Sequence, residues 1–257
     1  TLIDRSNVRA RSGVNAIIFA RYRPTILKTG WRWTPSSSLV ATAAAAWMRE
    51  RYDNTNRDDA RLGNGLYGEW SSHGAVSWQP NRRYKLDAGG TARRLRDNGF
   101  SLTFLNTSTN IRTRDQYAGN AVRSGAFVEQ TLTLPSLRVS LGVRTDHHSL
   151  LPDTTTATPH ASAVVRLTRA TDLHLGWGQY VQYPEVWMLT TPAGGRRLLP
   201  ERSNHYTASI EQRLGSQTRL RVEAFTRDDR DQITRPLYDP RIQNGRVFVP
   251  ADTRLYN

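Results

Sequence analysis

Cysteine is absent from the 257 residues, which removes disulfides, thiolate metal sites and cysteine nucleophiles together. Long apolar runs are missing too. The longest mostly apolar stretch, residues 39–48, is half alanine and contains Thr42, whereas a membrane-crossing helix needs about 20 consecutive apolar residues. A helical membrane protein is thereby excluded. Hydrophobic residues make up only 37% of the chain and the mean hydropathy is −0.61. Yet seven Trp, ten Tyr and six Phe are spread along it, an aromatic load that a solvated, disordered polymer does not carry.

Lysine is nearly missing. Lys28 and Lys85 are the only two, so the net charge of +14 is carried by arginine. A strongly basic balance ordinarily points to an anionic partner. The arginines are scattered, however, with the tightest groups at Arg82-Arg83, Arg93-Arg94-Arg96 and Arg196-Arg197. They alternate with apolar residues instead of forming a basic stripe, and no recognition motif is present, so no nucleic-acid partner is expected. Gly89-Gly90 and Gly194-Gly195 lack the strand–helix context of a phosphate loop. Residues 1–5 show neither an initiator Met nor the apolar core of a signal peptide, so the chain is expected to start within a longer protein.

What is present is a period of two. Over 137–146, Leu137, Val139, Leu141 and Val143 share one face, and Arg138, Ser140, Gly142, Arg144 and Asp146 share the other. Successive side chains of a strand point to opposite faces, so this is a strand signature. The alternation recurs over 172–182, 205–214 and 219–227, and more weakly over 39–51, 71–79, 124–134 and 161–168. No segment longer than a turn or two carries a helical period, and the class is all-β. Strands of roughly 9 to 12 residues exceed the usual 5 or 6 and match the length that crosses a bilayer when tilted by about 45°. One face is apolar and the other bears Arg, Glu and His, as expected with lipid on one side and water or a plug on the other. A soluble sandwich also alternates, but with shorter strands and less charged polar faces.

Short links are expected at 35–38, 80–83, 135–136, 170–171 and 215–218, and long polar connections at 53–65, 106–120, 147–159, 184–204 and 228–257. Short turns at one end and long loops at the other are the asymmetry of an outer-membrane barrel. Trp31, Trp33, Trp47, Trp78, Tyr84, Tyr183 and Trp187 fall near strand ends, where an interfacial aromatic girdle lies.

Four stretches then resemble, in order, the barrel of a TonB-dependent outer-membrane receptor. Gly125-Ala126-Phe127-Val128-Glu129-Gln130 is similar to that family's strand ending in aromatic-Val-Gln. Leu141-Gly142-Val143-Arg144-Thr145-Asp146 is similar to its Gly-x-Arg-aromatic-Asp strand end, with Thr145 in place of the aromatic. The run from Gly176 through Tyr183-Pro184-Glu185 resembles the strand rising into an aromatic-x-x-Pro loop. Leu199-Pro200-Glu201-Arg202-Ser203, followed by Tyr206 and Glu211, resembles the return strand. The resemblance implies an antiparallel transmembrane β-barrel of outer-membrane type, with roughly 12 of an expected 22 strands in residues 1–257. No plug domain, energy-coupling box or C-terminal closing strand is recognisable, so an incomplete piece of a longer receptor is expected.

The same resemblance implies a non-enzymatic active transporter in the outer membrane of a Gram-negative bacterium, with no cofactor. Its external loops would capture a scarce nutrient, such as a ferric siderophore, cobalamin or a glycan. The TonB energy-coupling complex would drive uptake through the plug. The alternative is a self-contained barrel of about twelve strands serving as a passive pore or adhesion surface.

Candidate ligand-binding residues lie in the expected external loops. His147 and His148 stand at the top of a strand, where imidazoles could meet a metal chelate, although a vicinal pair in an extended chain points to opposite sides. Trp187 joins them, with Arg196, Arg197, Arg202, Arg241 and Arg246, whose forked guanidiniums suit an anionic small molecule or the phosphates of lipopolysaccharide. Arg138, Arg144, Arg166, Arg213, Arg221 and Arg227 lie on polar strand faces and are expected to line the lumen, paired with Glu129, Glu211 and Glu223 or touching a plug. A rim protease would need a second carboxylate pair beside Asp146 and the histidines. Asp228, Asp229 and Asp231 are available, but nothing in the sequence brings them there, and no catalytic residue or metal-ligand set is assigned.

Overall fold

The computed structural model describes residues 13–234 apart from 153–154, 192–193 and 196, together with the backbone of 241–243 and 246–248. Ten strands form one antiparallel meander in which each pairs with its neighbour in sequence. They are β1 (Phe19–Ser36), β2 (Leu39–Thr55), β3 (Arg61–Trp78), β4 (Tyr84–Phe104) and β5 (Ile111–Thr133), then β6 (Leu137–His148), β7 (Thr155–Arg166), β8 (Thr171–Gln182), β9 (Glu201–Leu214) and β10 (Thr218–Arg230). One helical turn, α1 (Val186–Thr190), lies between β8 and β9. A separate pair, β11 (Arg241–Gln243) and β12 (Arg246–Phe248), follows β10.

Register turns the alternation into two continuous faces. Leu39, Trp78, Leu86, Gln130 and Leu141 stand side by side in one cross-strand row, and Val40, Ser77, Asp87, Glu129 and Gly142 in the next. The outer face carries Val76, Val128, Leu132, Val143, Leu175, Ile210 and Val222, and it stays uncovered: Trp70 is 63% exposed and Leu141 58%. An apolar surface this extensive is not tolerated in water, and lipid is the solvent that covers it.

Aromatic pairs mark the limits of that band. Trp78 and Tyr84 meet edge to face at 6.0 Å beside the 79–83 turn, and Trp47 and Trp70 lie 6.2 Å apart further up the same face. Trp70 and Trp78 are separated by about 26 Å of strand at ~3.3 Å per residue, which spans about 20 Å once tilted, close to the ~25 Å apolar band of such barrels.

Turns occupy 37–38, 79–83, 134–136, 167–170 and 215–217, where short links are expected. Three of the expected long loops are instead more than half strand. β2 and β3 leave only 56–60 between them, β4 and β5 only 105–110, and β6 and β7 only 149–154. Strands β1 to β5 run for 17 to 23 residues against 12 to 14 in β6 to β10. Above the membrane both faces of a strand meet water, so the hydropathy alternation stops while backbone pairing continues. β1 and β4 also escape the pattern. β4 presents Ala88, Gly90 and Ala92 outward, and residues that small give almost no hydropathy contrast.

Candidate functional site

The connection from 183 to 200 folds back onto the inner face of the sheet. Val186 of α1 buries itself against Leu95 of β4 and Ala121 of β5, while Leu189 packs with Leu151 and Leu198. Gly119 makes this approach possible. A Cβ there would lie 2.7 Å from Val186 Cγ1 and 2.8 Å from Thr190 Cγ2, closer than real side chains come.

Polar contacts fix the start of the fold-back. Arg123 donates through Nη2 to the Pro184 carbonyl at 2.7 Å and lies 3.5 Å from the Glu185 carboxylate. The Tyr183 hydroxyl donates to the Asp146 carbonyl at 2.8 Å and shares a second bond with Thr156 at 2.8 Å. His148 is fully buried, its ring 5.4 Å from that of Tyr183, and its Nδ1 accepts the Leu150 N–H at 3.2 Å.

Around the fold-back the inner wall is polar and mostly self-satisfied. Arg93 grips Glu69 with two hydrogen bonds of 2.8 and 2.6 Å, and the Tyr67 hydroxyl donates to the same carboxylate. Tyr52 and Tyr117 meet hydroxyl to hydroxyl at 3.3 Å. Asp97 is pushed up to about 6 by burial and by the nearby Glu185 carboxylate, against a hydrogen bond from Tyr117 that lowers it. Tyr117 is raised by burial and by its bond with Tyr52. The result is a cup of tyrosines, paired arginines and one carboxyl of raised pKa, capped by a loop. Among the described residues no group of three or more His, Asp or Glu stands close enough to hold a metal ion.

The candidates read from sequence are dispersed about this cup. His148 faces into it, whereas His147 points to the outer side and meets Thr155 at 3.3 Å. Trp187 lies on α1 and is partly buried. Arg197 is exposed on the loop. Arg202 lies on the outer face of β9, opposite Val181 and Arg230. It also borders a hollow of about 370 Å³ shared by Tyr180, His205, Arg227 and Asp229. Arg196 and the side chains of Arg241 and Arg246 lie outside the described residues.

Register puts Arg138, Arg144, Arg166, Glu211, Arg213, Arg221 and Glu223 on the inner face together with Glu129. Apart from Arg221 with Glu223, their ion pairs differ from the expected ones. Arg144 grips Asp146 at 2.6 Å and Arg221 meets Glu223 at 2.6 Å, each two residues along its own strand. Arg166 lies 3.4 Å from Asp172, Glu211 is approached by Arg219 at 3.6 Å, and Glu129 meets His160 at 2.9 Å. Arg213 donates to the Arg169 carbonyl. Asp228 and Asp229 point to opposite faces and pair with Arg230 and Arg227, so they do not form one carboxylate pair. Sequence reasoning missed Tyr52, Asp97, Tyr117 and Arg123. Their signal is a set of glycines opposite large side chains, Gly99 facing Tyr117 being one, and it is legible only when the register is known.

An antiparallel meander with an apolar outward band, two aromatic girdles and a loop folded onto its inner face defines the wall of an outer-membrane β-barrel. Residues 4–257 match the family model for the TonB dependent receptor-like beta-barrel, and the chain belongs to the TonB-dependent receptor family. Its fold is similar to that of the ferric yersiniabactin uptake receptor FyuA from Yersinia pestis, with TM-score 0.67 and 14% identity over 83% of this chain and 37% of that one. It is also similar to the outer membrane transporter YddB from Escherichia coli, with TM-score 0.63 and 10% identity over 88% of this chain and 36% of that one. The copper transporter OprC gives TM-score 0.62 and 16% identity over 82% and 39%. At these identities the likeness is one of fold, and this chain spans less than half the length of each solved receptor. No curated protein matches the sequence.

Proposed function

We propose that this chain is part of the barrel of a Gram-negative outer-membrane receptor that captures a scarce nutrient and takes it up actively. The nutrient would be a ferric siderophore, cobalamin or a glycan. Transport would be energised by the TonB complex through a plug, and lipopolysaccharide would surround the barrel's outer rim. The observation that carries the reading is the inward fold of 183–200 onto β4 to β6. A loop anchored in the mouth gives a capture site a wall that can move against its ligand. The Arg123 guanidinium is held by one carbonyl and a loose carboxylate, so an anionic group on a ligand can take the place of Glu185 and free the loop to close over it. The passive-pore reading requires β1 to pair with β10, which are the two edges of the sheet.

The test is uptake by cells that depend on the native receptor carrying these residues. Labelled ferric siderophores, cobalamin and oligosaccharides are offered in turn. Accumulation of one class that disappears without TonB or without proton-motive force is the expected result. Accumulation independent of TonB, or steady conducting steps from the purified receptor in a planar bilayer, would overturn it.

A further inference from the structure

Most arginines of the inner face meet a carboxylate; part of the outer face offers none. Just above the Trp47–Trp70 pair, Arg49 of β2 and Arg96 of β4 stand directly opposite Gly68 of β3, one on each side, and Arg94 stands opposite Trp70. With no side chain at Gly68, the three guanidiniums and two indoles surround a groove of about 480 Å³ that also reaches Leu66 and Asn120. A Cβ at Gly68 would meet nothing within 4 Å, so the floor is open space rather than a packing contact.

Charge in the groove is of one sign. Among the described residues Arg49, Arg94 and Arg96 have no ion-pair partner. Glu69 borders the groove, but its carboxylate is taken up by Arg93 and Tyr67 on the opposite face. One step higher, Arg23 of β1 and Arg51 of β2 are directly opposed on the same outer face. Like charges placed side by side on a sheet are destabilising unless something anionic lies between them.

Height decides what that anion is. Arg49 lies two residues beyond Trp47 on its strand, about 7 Å along it, which places the guanidiniums at the level where lipid headgroups meet an aromatic girdle. A free protein partner would have to push lipid aside to reach this surface. A headgroup is already there.

The geometry points to a binding site for a phosphorylated glycolipid of the outer leaflet. Its phosphates lie across Arg49, Arg94 and Arg96, and its first acyl chains pass over Trp47 and Trp70. Forked guanidiniums bind phosphate bidentately, which a scatter of lysines would not do. This inference rests on the outer-membrane reading above, but not on transport or on TonB.

The experiment measures glycolipid retained by the native receptor after purification from outer membranes in mild detergent, read by native mass spectrometry. Wild type should carry lipopolysaccharide, and Arg94→Gln with Arg96→Gln should retain about tenfold less, as expected when charge-assisted contacts are lost. Gly68→Trp, which fills the groove while keeping all three arginines in the chain, should give a similar loss and covers the case in which the double variant does not assemble. Rebinding of dephosphorylated glycolipid should fail, and millimolar inorganic phosphate should compete with the intact lipid. Unchanged retention in both variants, or equal rebinding of the dephosphorylated lipid, would overturn the site. Uptake measured on the same cells separates this result from the transport proposal, because the groove lies on the opposite face from the cup.

Discussion

Gly119 is small because α1 occupies the space its side chain would take. Gly119→Leu should therefore lift the 183–200 connection off the wall, at a cost of about 1–3 kcal/mol typical of overpacking. The check is limited proteolysis, with new cleavage within 183–200 while the strands stay resistant; an unchanged digestion pattern counts against the packing. One titrating side chain makes the same docking pH-dependent. The folded pKa of Asp97, about 6, lies above its ordinary 3.8, so between those values the folded form binds more protons and docking strengthens as pH falls. Hydrogen exchange over 183–200 should show protection rising from pH 6.5 to 4, and Asp97→Asn should remove that rise. A profile unchanged by the substitution would show that Asp97 does not titrate against the loop.

At the scale of the strand, position relative to the girdles decides the cost of a charge. Val128 sits on the outer face of β5 within the apolar band, opposite Val143 and Ala88, and Ala118 sits on the same face above it, opposite Asn98. Val128→Arg should cost about 2–4 kcal/mol and Ala118→Arg about 0–1, read as unfolding midpoints of the receptor in lipid vesicles. Equal costs would mean the band is misplaced. The same boundary explains what was legible in the sequence. β6, β8, β9 and β10 were readable almost to their ends, because lipid on one side and polar groups on the other impose alternation along nearly their whole length. β1, β4 and the upper halves of β2, β3 and β5 were not, because water on both sides, or small outward residues such as Gly90, leaves nothing to alternate. Parity alone placed Arg144 and Glu211 on one face and separated His147 from His148. It could not foresee that Val186 meets Gly119, since that contact depends on strand pairing and on a loop turning inward.

At the scale of the whole sheet, the edges pose a condition. β1 is exposed on both faces along its length and β10 nearly so, and among the described residues each has one neighbouring strand. Unpaired backbone groups cannot remain in hydrocarbon, so each edge finds a partner in the membrane. Pairing β1 with β10 would close ten strands, while pairing each with a further strand gives a wider barrel. The interior argues for the wider one. Barrels of about eight strands are filled by their own side chains, and the inner face here must hold α1 and its loop, and on the proposed reading a ligand as well. Because residues 1–257 contain no cysteine, no other thiol of this sheet competes with introduced pairs. Ala208→Cys with Ala224→Cys, directly opposed on β9 and β10, should form a disulfide in native membranes under mild oxidation. Leu27→Cys or Thr29→Cys on β1, combined with Val222→Cys on β10, should not. A β1–β10 disulfide as rapid as the β9–β10 one would make the barrel ten-stranded and too narrow for a siderophore-sized ligand, and the passive-pore reading would then replace active capture.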